Sequence, residues 1–253
     1  NQAGDLRFVA DQLRANPSLL PVPANLAHIA LVGQSDGADT VLDAAYGPTA
    51  LSADSEGDRS RGPDAAWRTT LYHHVKRLQA ALTSAPAAAK PVIGAAHGLC
   101  LGGGVDLLAA CDIRLAADDV VFSVRETRIA MVADVGTIQR LPRAISPTIA
   151  NELIFTGRDF GAAYAHQHGF ISNRYADAAA LHDAAQALAD EIGANSPLAV
   201  QGAKRVMQAG RDLTVAQGLD YVALWNSAFI HSSDLVEAMT AFVERRPPHF
   251  TGA

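Results

Sequence analysis

The sequence contains very little cysteine and very little lysine. Its two cysteines, Cys100 and Cys111, exclude a disulfide-rich scaffold and a four-cysteine zinc site. We expect both to be small core residues. The only lysines among the 20 basic residues are Lys76, Lys90 and Lys204, so contacts to an anionic ligand would depend mostly on arginine.

An excess of basic charge and long apolar runs are also missing. The net charge of −6 argues against nucleic acid as the main partner. Apolar runs such as Pro91–Ala96 are too short to span a bilayer, and Asn1–Arg14 lacks the pattern of a signal peptide. No spacing of His, Asp and Glu is typical of a metal site. We therefore expect a soluble, cytoplasmic protein whose partners include neither a membrane nor nucleic acid.

The order of apolar segments predicts an α/β domain followed by helices. Leu26–Val32 and Pro91–Ala96 are short apolar runs of strand type, with an amphipathic helical pattern between them. From about Ala144 onward the sequence looks helical throughout. Strand–helix alternation followed by helices is typical of an α/β fold with a helical extension. We divide the chain into an α/β core at residues 1–195 and a helical C-terminal region at residues 196–253.

A glycine run marks the first candidate site. Gly98–Gly104 (GLCLGGG) breaks a predicted strand, and Val105–Cys111 continues as a helix. Free N–H groups at the start of a helix would face a negative charge, either a phosphate or a developing oxyanion. The dinucleotide and P-loop spacings are absent. A tight turn with close packing is the alternative interpretation.

Three acidic residues in apolar surroundings form the second candidate site. They are Asp106 in the helix after the glycines, Glu126 at the end of a strand-like run, and Asp134 in an Ala-Asp-Val-Gly turn. Burial and mutual repulsion would raise the pKa of at least one of them, which would give an acid–base pair usable near neutral pH. Taken singly, each could instead be a cap or half of an ion pair.

A serine motif supports a competing hypothesis. Gly33–Gly37 matches the nucleophile elbow G-x-S-x-G and follows an apolar run, so Ser35 is a candidate nucleophile with His231 or His249 as its base. Few residues precede Ser35, which leaves little room for the strands and oxyanion loop that normally come before such an elbow.

Longer segments are similar to a known family. Lys90–Glu126 resembles the central block of the crotonase (enoyl-CoA hydratase/isomerase) superfamily, and Asp234–Gly252 resembles its ending. This resemblance implies a crotonase-like (ClpP/crotonase) spiral of ββα units with a helical C-terminal extension. It also implies an acyl-CoA thioester substrate, no separate cofactor because coenzyme A is part of the substrate, and a homotrimer or dimer of trimers.

Within this superfamily, the acidic positions most resemble the dienoyl-CoA isomerases, which convert 3,5-dienoyl-CoA into 2,4-dienoyl-CoA. Glu126 follows Asp106 by 20 residues and Asp134 follows Glu126 by eight, as in that subfamily. The resemblance assigns the two proton transfers to Glu126 and Asp134, and orientation and pocket polarity to Asp106. Backbone N–H groups of Gly103 and Leu42 would form the oxyanion hole.

Some features leave other activities open. A typical hydratase has Glu at position 106 and Gly at position 134, so the sequence favours isomerase over hydratase or another crotonase activity. Val41 stands where the oxyanion loop usually has glycine, and a β-branched residue resists a positive φ. A non-catalytic subunit that binds acyl-CoA is therefore a further alternative. Members also have a strand or hairpin before the first helix, so we expect such a strand ahead of Asn1.

Overall fold

The computed structural model describes residues 30–33, through their backbone, and residues 65–253. The strands are β1 (Ala30–Gly33), β2 (Ile93–Ala96), β3 (Leu99–Leu101), β4 (Ile113–Ala117), β5 (Val121–Ser123), β6 (Phe160–Gly161) and β7 (Asn173–Tyr175). The helices are α1 (Ala65–Ala87), α2 (Gly103–Ala110), α3 (Thr137–Ala144), α4 (Pro147–Thr156), α5 (Ala162–Gln167), α6 (Ala178–Gly193), α7 (Pro197–Gly210), α8 (Val215–Phe229) and α9 (Ser233–Glu244), with a 3₁₀ turn at Glu126–Ile129.

The described strands form two small sheets. One has the order β1-β2-β4-β7 and is parallel throughout, while the other has the order β3-β5-β6, with β3 and β5 parallel and β6 antiparallel to β5. Two parallel strands that are neighbours in a sheet need a crossover connection. Helix α1 lies in the connection from β1 to β2, and helix α2 lies in the connections from β2 to β4 and from β3 to β5. The predicted α/β arrangement with a helical C-terminal region is confirmed.

Helices cover both faces of the parallel sheet. Ile93 and Ala95 of β2 pack with α6, and alternation along the strand turns Gly94 to the other face. A Cβ at Gly94 would lie 2.6 Å from Leu108 Cδ1 and 2.9 Å from Cys111 Sγ, so only glycine lets α2 lie this close to the sheet. Cys111 is buried there, as is Cys100. This close contact holds the C-terminal end of α2 against the sheet.

Three short strands were not predicted. Gly98–Gly104, expected only to break a strand, contains β3, and the region after Ala144, expected to be wholly helical, contains β6 and β7. These strands are two or three residues long, and each pairs with a strand that is distant along the chain. Their formation depends on tertiary pairing rather than on a local periodic pattern.

A buried ion pair joins the C-terminal region to the core. Lys204 Nζ on α7 lies 2.7 Å from Asp112 Oδ2, and its side chain is only 5% exposed. The same ammonium group donates to the carbonyl oxygens of Ala85 (3.1 Å) and Lys90 (2.8 Å). Three acceptors therefore compensate the buried charge. The division into two regions after residue 195 remains a prediction.

Candidate active site

The first turn of α2 presents unpaired backbone donors. Gly102 precedes the helix with φ 50° and ψ −115°, a conformation that side chains strongly disfavour. The N–H groups of Val105 and Asp106 donate to the Gly102 carbonyl at 2.8 and 3.1 Å. Among the described residues, no acceptor pairs with the N–H of Gly103 or Gly104. The predicted donor of Gly103 is thus available to a negatively charged oxygen at the positive end of the helix.

Asp106 is a fully buried carboxylate that connects two helices. Its Oδ1 accepts a hydrogen bond of 2.5 Å from the backbone N–H of Thr137, the first residue of α3. Burial raises the pKa of Asp106, while hydrogen bonding from Thr137 and the charge of Arg140 act in the opposite direction. Asp106 therefore holds the start of α3, three residues after Asp134.

Glu126 lies beside the glycine turn. It begins the 3₁₀ turn rather than ending a strand as predicted, because β5 already stops at Ser123. Its Oε1 lies 3.2 Å from where a Cβ on Gly102 would be, and its Oε2 is buried with no hydrogen-bond partner in the described part of the chain. Burial, followed by the charges of Asp106 and Asp134, raises the pKa of Glu126 to about 7.

Asp134 lies in the loop between the 3₁₀ turn and α3. It is half-buried, and desolvation raises its pKa above the ordinary value of 3.8. Its charge raises the pKa of both Glu126 and Asp106, so the three carboxylates interact electrostatically. The structure thus brings together the three acidic residues predicted from the sequence.

Two contacts at this loop were not predicted. They come from the backbone of Thr137 and from the Gln79 side chain on α1, whose Nε2 donates to the carbonyl oxygen of Asp134 at 2.7 Å. Gln79 is 55 residues away in sequence, and no local pattern distinguishes it from other polar residues of its helix.

The other residues predicted from the sequence fall into two groups. Leu42 and Val41 of the expected oxyanion loop, and Ser35 of the nucleophile elbow, lie outside the described residues. His231 and His249, the bases suggested for Ser35, are exposed in the C-terminal region.

Two other kinds of feature are absent from residues 65–253. There, no three His, Cys, Asp or Glu side chains are grouped so that they could hold a metal ion. No helix in the same part of the chain combines the length and the apolar character needed to cross a membrane.

The chain belongs to the enoyl-CoA hydratase/isomerase family, whose family model matches residues 59–253. It is 43% identical over 202 residues to the peroxisomal delta(3,5)-delta(2,4)-dienoyl-CoA isomerase of Arabidopsis thaliana, an alignment that covers 80% of this chain and 72% of that protein. It is 37% identical to the mitochondrial delta(3,5)-delta(2,4)-dienoyl-CoA isomerase of Dictyostelium discoideum, covering 88% and 74%.

A solved structure supports the crotonase fold expected from the sequence. The enoyl-CoA hydratase of Bacillus anthracis superposes with a TM-score of 0.81 at 28% identity, and the match covers 100% of this chain and 92% of that one. The fold is thus the crotonase fold.

The same comparisons show that the cytoplasmic location expected from the sequence is wrong. The isomerase relatives are named as peroxisomal or mitochondrial proteins. The prediction depended on the absence of a signal-peptide pattern at Asn1–Arg14, and that pattern concerns secretion rather than these organelles.

The glycine turn allows a test of the site's geometry. We expect Gly102→Ala to lower the free energy of unfolding by about 1–3 kcal/mol, because alanine is strained at this φ and ψ. The new Cβ would also press on the Glu126 carboxylate. Gly210→Ala is the matched control, because a Cβ there meets nothing within 4 Å and Gly210 lies in a helix. Denaturant unfolding of the two variants measures the difference, and equal stabilities would contradict this geometry.

Proposed function

We propose that this protein is a delta(3,5)-delta(2,4)-dienoyl-CoA isomerase acting on an acyl-CoA thioester. The observation that carries the proposal is the cluster of Asp106, Glu126 and Asp134 beside unpaired backbone donors, in which burial and the neighbouring charges raise the pKa of Glu126 to about 7. The conversion moves one proton from C2 to C6 and shifts two double bonds. It needs an acid, a base and a site for an oxyanion, and it involves no oxidation or reduction. We therefore propose no cofactor besides the coenzyme A of the substrate.

The first step is proton removal from C2. The base is Asp134, which accepts this proton in its ionised form. Of the two candidate groups, Asp134 and Glu126, it is the smaller and the more exposed. The negative charge that develops on the thioester oxygen accepts a hydrogen bond from the Gly103 N–H, and by family resemblance a second from Leu42. One such donor typically contributes about 2.7–4 kcal/mol to stabilisation of a transition state.

The second step returns a proton at C6. The charge spreads from the thioester oxygen along the dienolate to C6, which takes a proton from Glu126. The double bonds at C3–C4 and C5–C6 are replaced by double bonds at C2–C3 and C4–C5. Because the pKa of Glu126 is about 7, a substantial fraction of this carboxyl group keeps its proton at neutral pH. Positioned proton transfer of this kind contributes about 10²–10⁴-fold in rate.

These roles determine the pH dependence. Activity rises with pH while Asp134 loses its proton and falls as Glu126 loses its proton near pH 7. Asp106, held by the Thr137 N–H, orients the Asp134 loop and takes no part in proton transfer.

Asp134→Asn tests the proposal directly. We expect the wild type to produce the conjugated 2,4-dienoyl-CoA chromophore from a 3,5-dienoyl-CoA, and Asp134→Asn to lower kcat by at least about 10²-fold, because an amide cannot accept the C2 proton. Glu126→Gln should lower kcat similarly and remove the fall in activity near pH 7.

Asp119→Asn, which changes an exposed carboxylate, is the control and should keep wild-type activity. A wild type that binds acyl-CoA without forming the diene would favour the non-catalytic subunit. Hydration of a 2-enoyl-CoA without diene formation would favour the hydratase, and labelling of Ser35 by a serine-reactive phosphonate would favour the hydrolase.

We also propose assembly into a trimer or a dimer of trimers through the C-terminal helices. Large apolar side chains there are open to solvent in the single chain, including Val215 (82% exposed), Phe242 (81%) and Val243 (77%). Apolar exposure on this scale is typical of an interface. Sedimentation velocity should give the mass of three or six chains, and a monomer at micromolar concentration would contradict the proposal.

A further inference from the structure

The Asp134 carboxylate depends on its backbone for its position. Within residues 65–253, no other residue donates a hydrogen bond to this carboxylate, whereas its own carbonyl oxygen is held by Gln79 Nε2 at 2.7 Å. The position of the Asp134 side chain therefore depends on the Asp134–Val135 peptide, whose carbonyl oxygen accepts the hydrogen bond from Gln79.

The Gln79 amide is itself oriented. Its Oε1 accepts a hydrogen bond of 2.9 Å from Lys76 Nζ, one turn earlier on α1. With its oxygen held in this way, the amide presents its NH₂ group to the loop. Gln79 thus links α1, a helix of 23 residues, to the loop that carries Asp134.

A second contact between α1 and the loop lies one turn further along. Arg140 Nη1 donates to the Val135 carbonyl at 3.2 Å, and its Nη2 donates to Thr83 Oγ1 at 3.2 Å. Gln79 and Thr83 are four residues apart and share one face of the helix. Together with the bond from Thr137 N–H to Asp106, these contacts hold consecutive peptides of the loop from two sides.

We propose that Gln79 is a positioning residue for Asp134, an inference that rests on the proposed isomerase function. It fixes the Asp134 peptide so that the carboxylate lies where it can reach C2. Misplacement of a reacting group by about 1 Å can cost about 10²-fold in rate, so loss of this hydrogen bond acts on kcat. Gln79 acts through the Asp134 peptide rather than on the thioester, so we expect its loss to change kcat more than KM.

Gln79→Leu removes the donor, and Gln79→Glu removes it while keeping the shape of the side chain. We expect each variant to lower kcat about 10- to 100-fold with KM within about 2-fold of wild type. In Gln79→Glu, the acidic limb of the pH profile, which reports Asp134, should also move to higher pH. The reason is that the new negative charge disfavours ionisation of Asp134.

Gln139→Leu is the matched control. The Gln139 side chain lines the same cavity of about 930 Å³ as Gln79 and Asp134, but it makes no hydrogen bond to the loop within the described residues. The Gln139 backbone N–H donates to the Gly136 carbonyl at 3.2 Å, and the substitution by Leu keeps that bond. We expect it to keep kcat within about 2-fold of wild type. Wild-type kcat in Gln79→Leu, an equal loss in Gln139→Leu, or a loss explained by a lower unfolding temperature would overturn the positioning role.

A titration separates this inference from the proposed function. The pKa of Asp134, followed by NMR of labelled carboxyl carbons, should rise in Gln79→Glu, which places a negative charge beside Asp134, and stay unchanged in Gln139→Leu, whether or not the diene is turned over. An inert wild type with this pKa change would defeat the proposed function and leave the positioning contact standing. An active wild type with no pKa change and no loss of kcat would defeat the positioning role alone.

Discussion

The hydrogen bond from the Thr137 N–H to the buried Asp106 carboxylate is the interaction on which the site depends. It joins the first turn of α2 to the start of α3, and so fixes the loop that carries Asp134 relative to the glycine turn. Desolvation penalises the charge on Asp106, and this bond offsets part of that penalty. The charges of Asp106 and Asp134, added to burial, raise the pKa of Glu126 to about 7.

Close packing makes that arrangement possible. Gly94 lets α2 lie directly against β2, and Gly102 turns the chain so that α2 begins beside Glu126. The Lys204–Asp112 ion pair then holds α7 against the segment just after α2. A charge buried to this extent depends on its partner, so the C-terminal region is tied to the core just after the helix that carries Asp106.

Much of this could be predicted from the sequence, and the remainder has a physical reason. The three carboxylates were identifiable because their surroundings are apolar and their spacing resembles a known subfamily. The helices were identifiable from local periodicity and caps, such as Ser196 before α7. The short strand β7 and the contact of Gln79 with Asp134 were not, because each depends on residues far apart in the chain. Leu42, the second predicted oxyanion donor, lies outside the described residues and stays a prediction.

The central claim is that burial and mutual repulsion give one carboxyl of this cluster a proton at neutral pH. NMR titration of labelled glutamate carboxyl carbons, with Glu126→Gln to assign the signal, measures this directly. The account predicts that Glu126 titrates near pH 7 and that Asp134→Asn lowers this pKa, because one neighbouring negative charge is then removed. Titration of Glu126 near its ordinary value of 4.5, unaffected by Asp134→Asn, would contradict it.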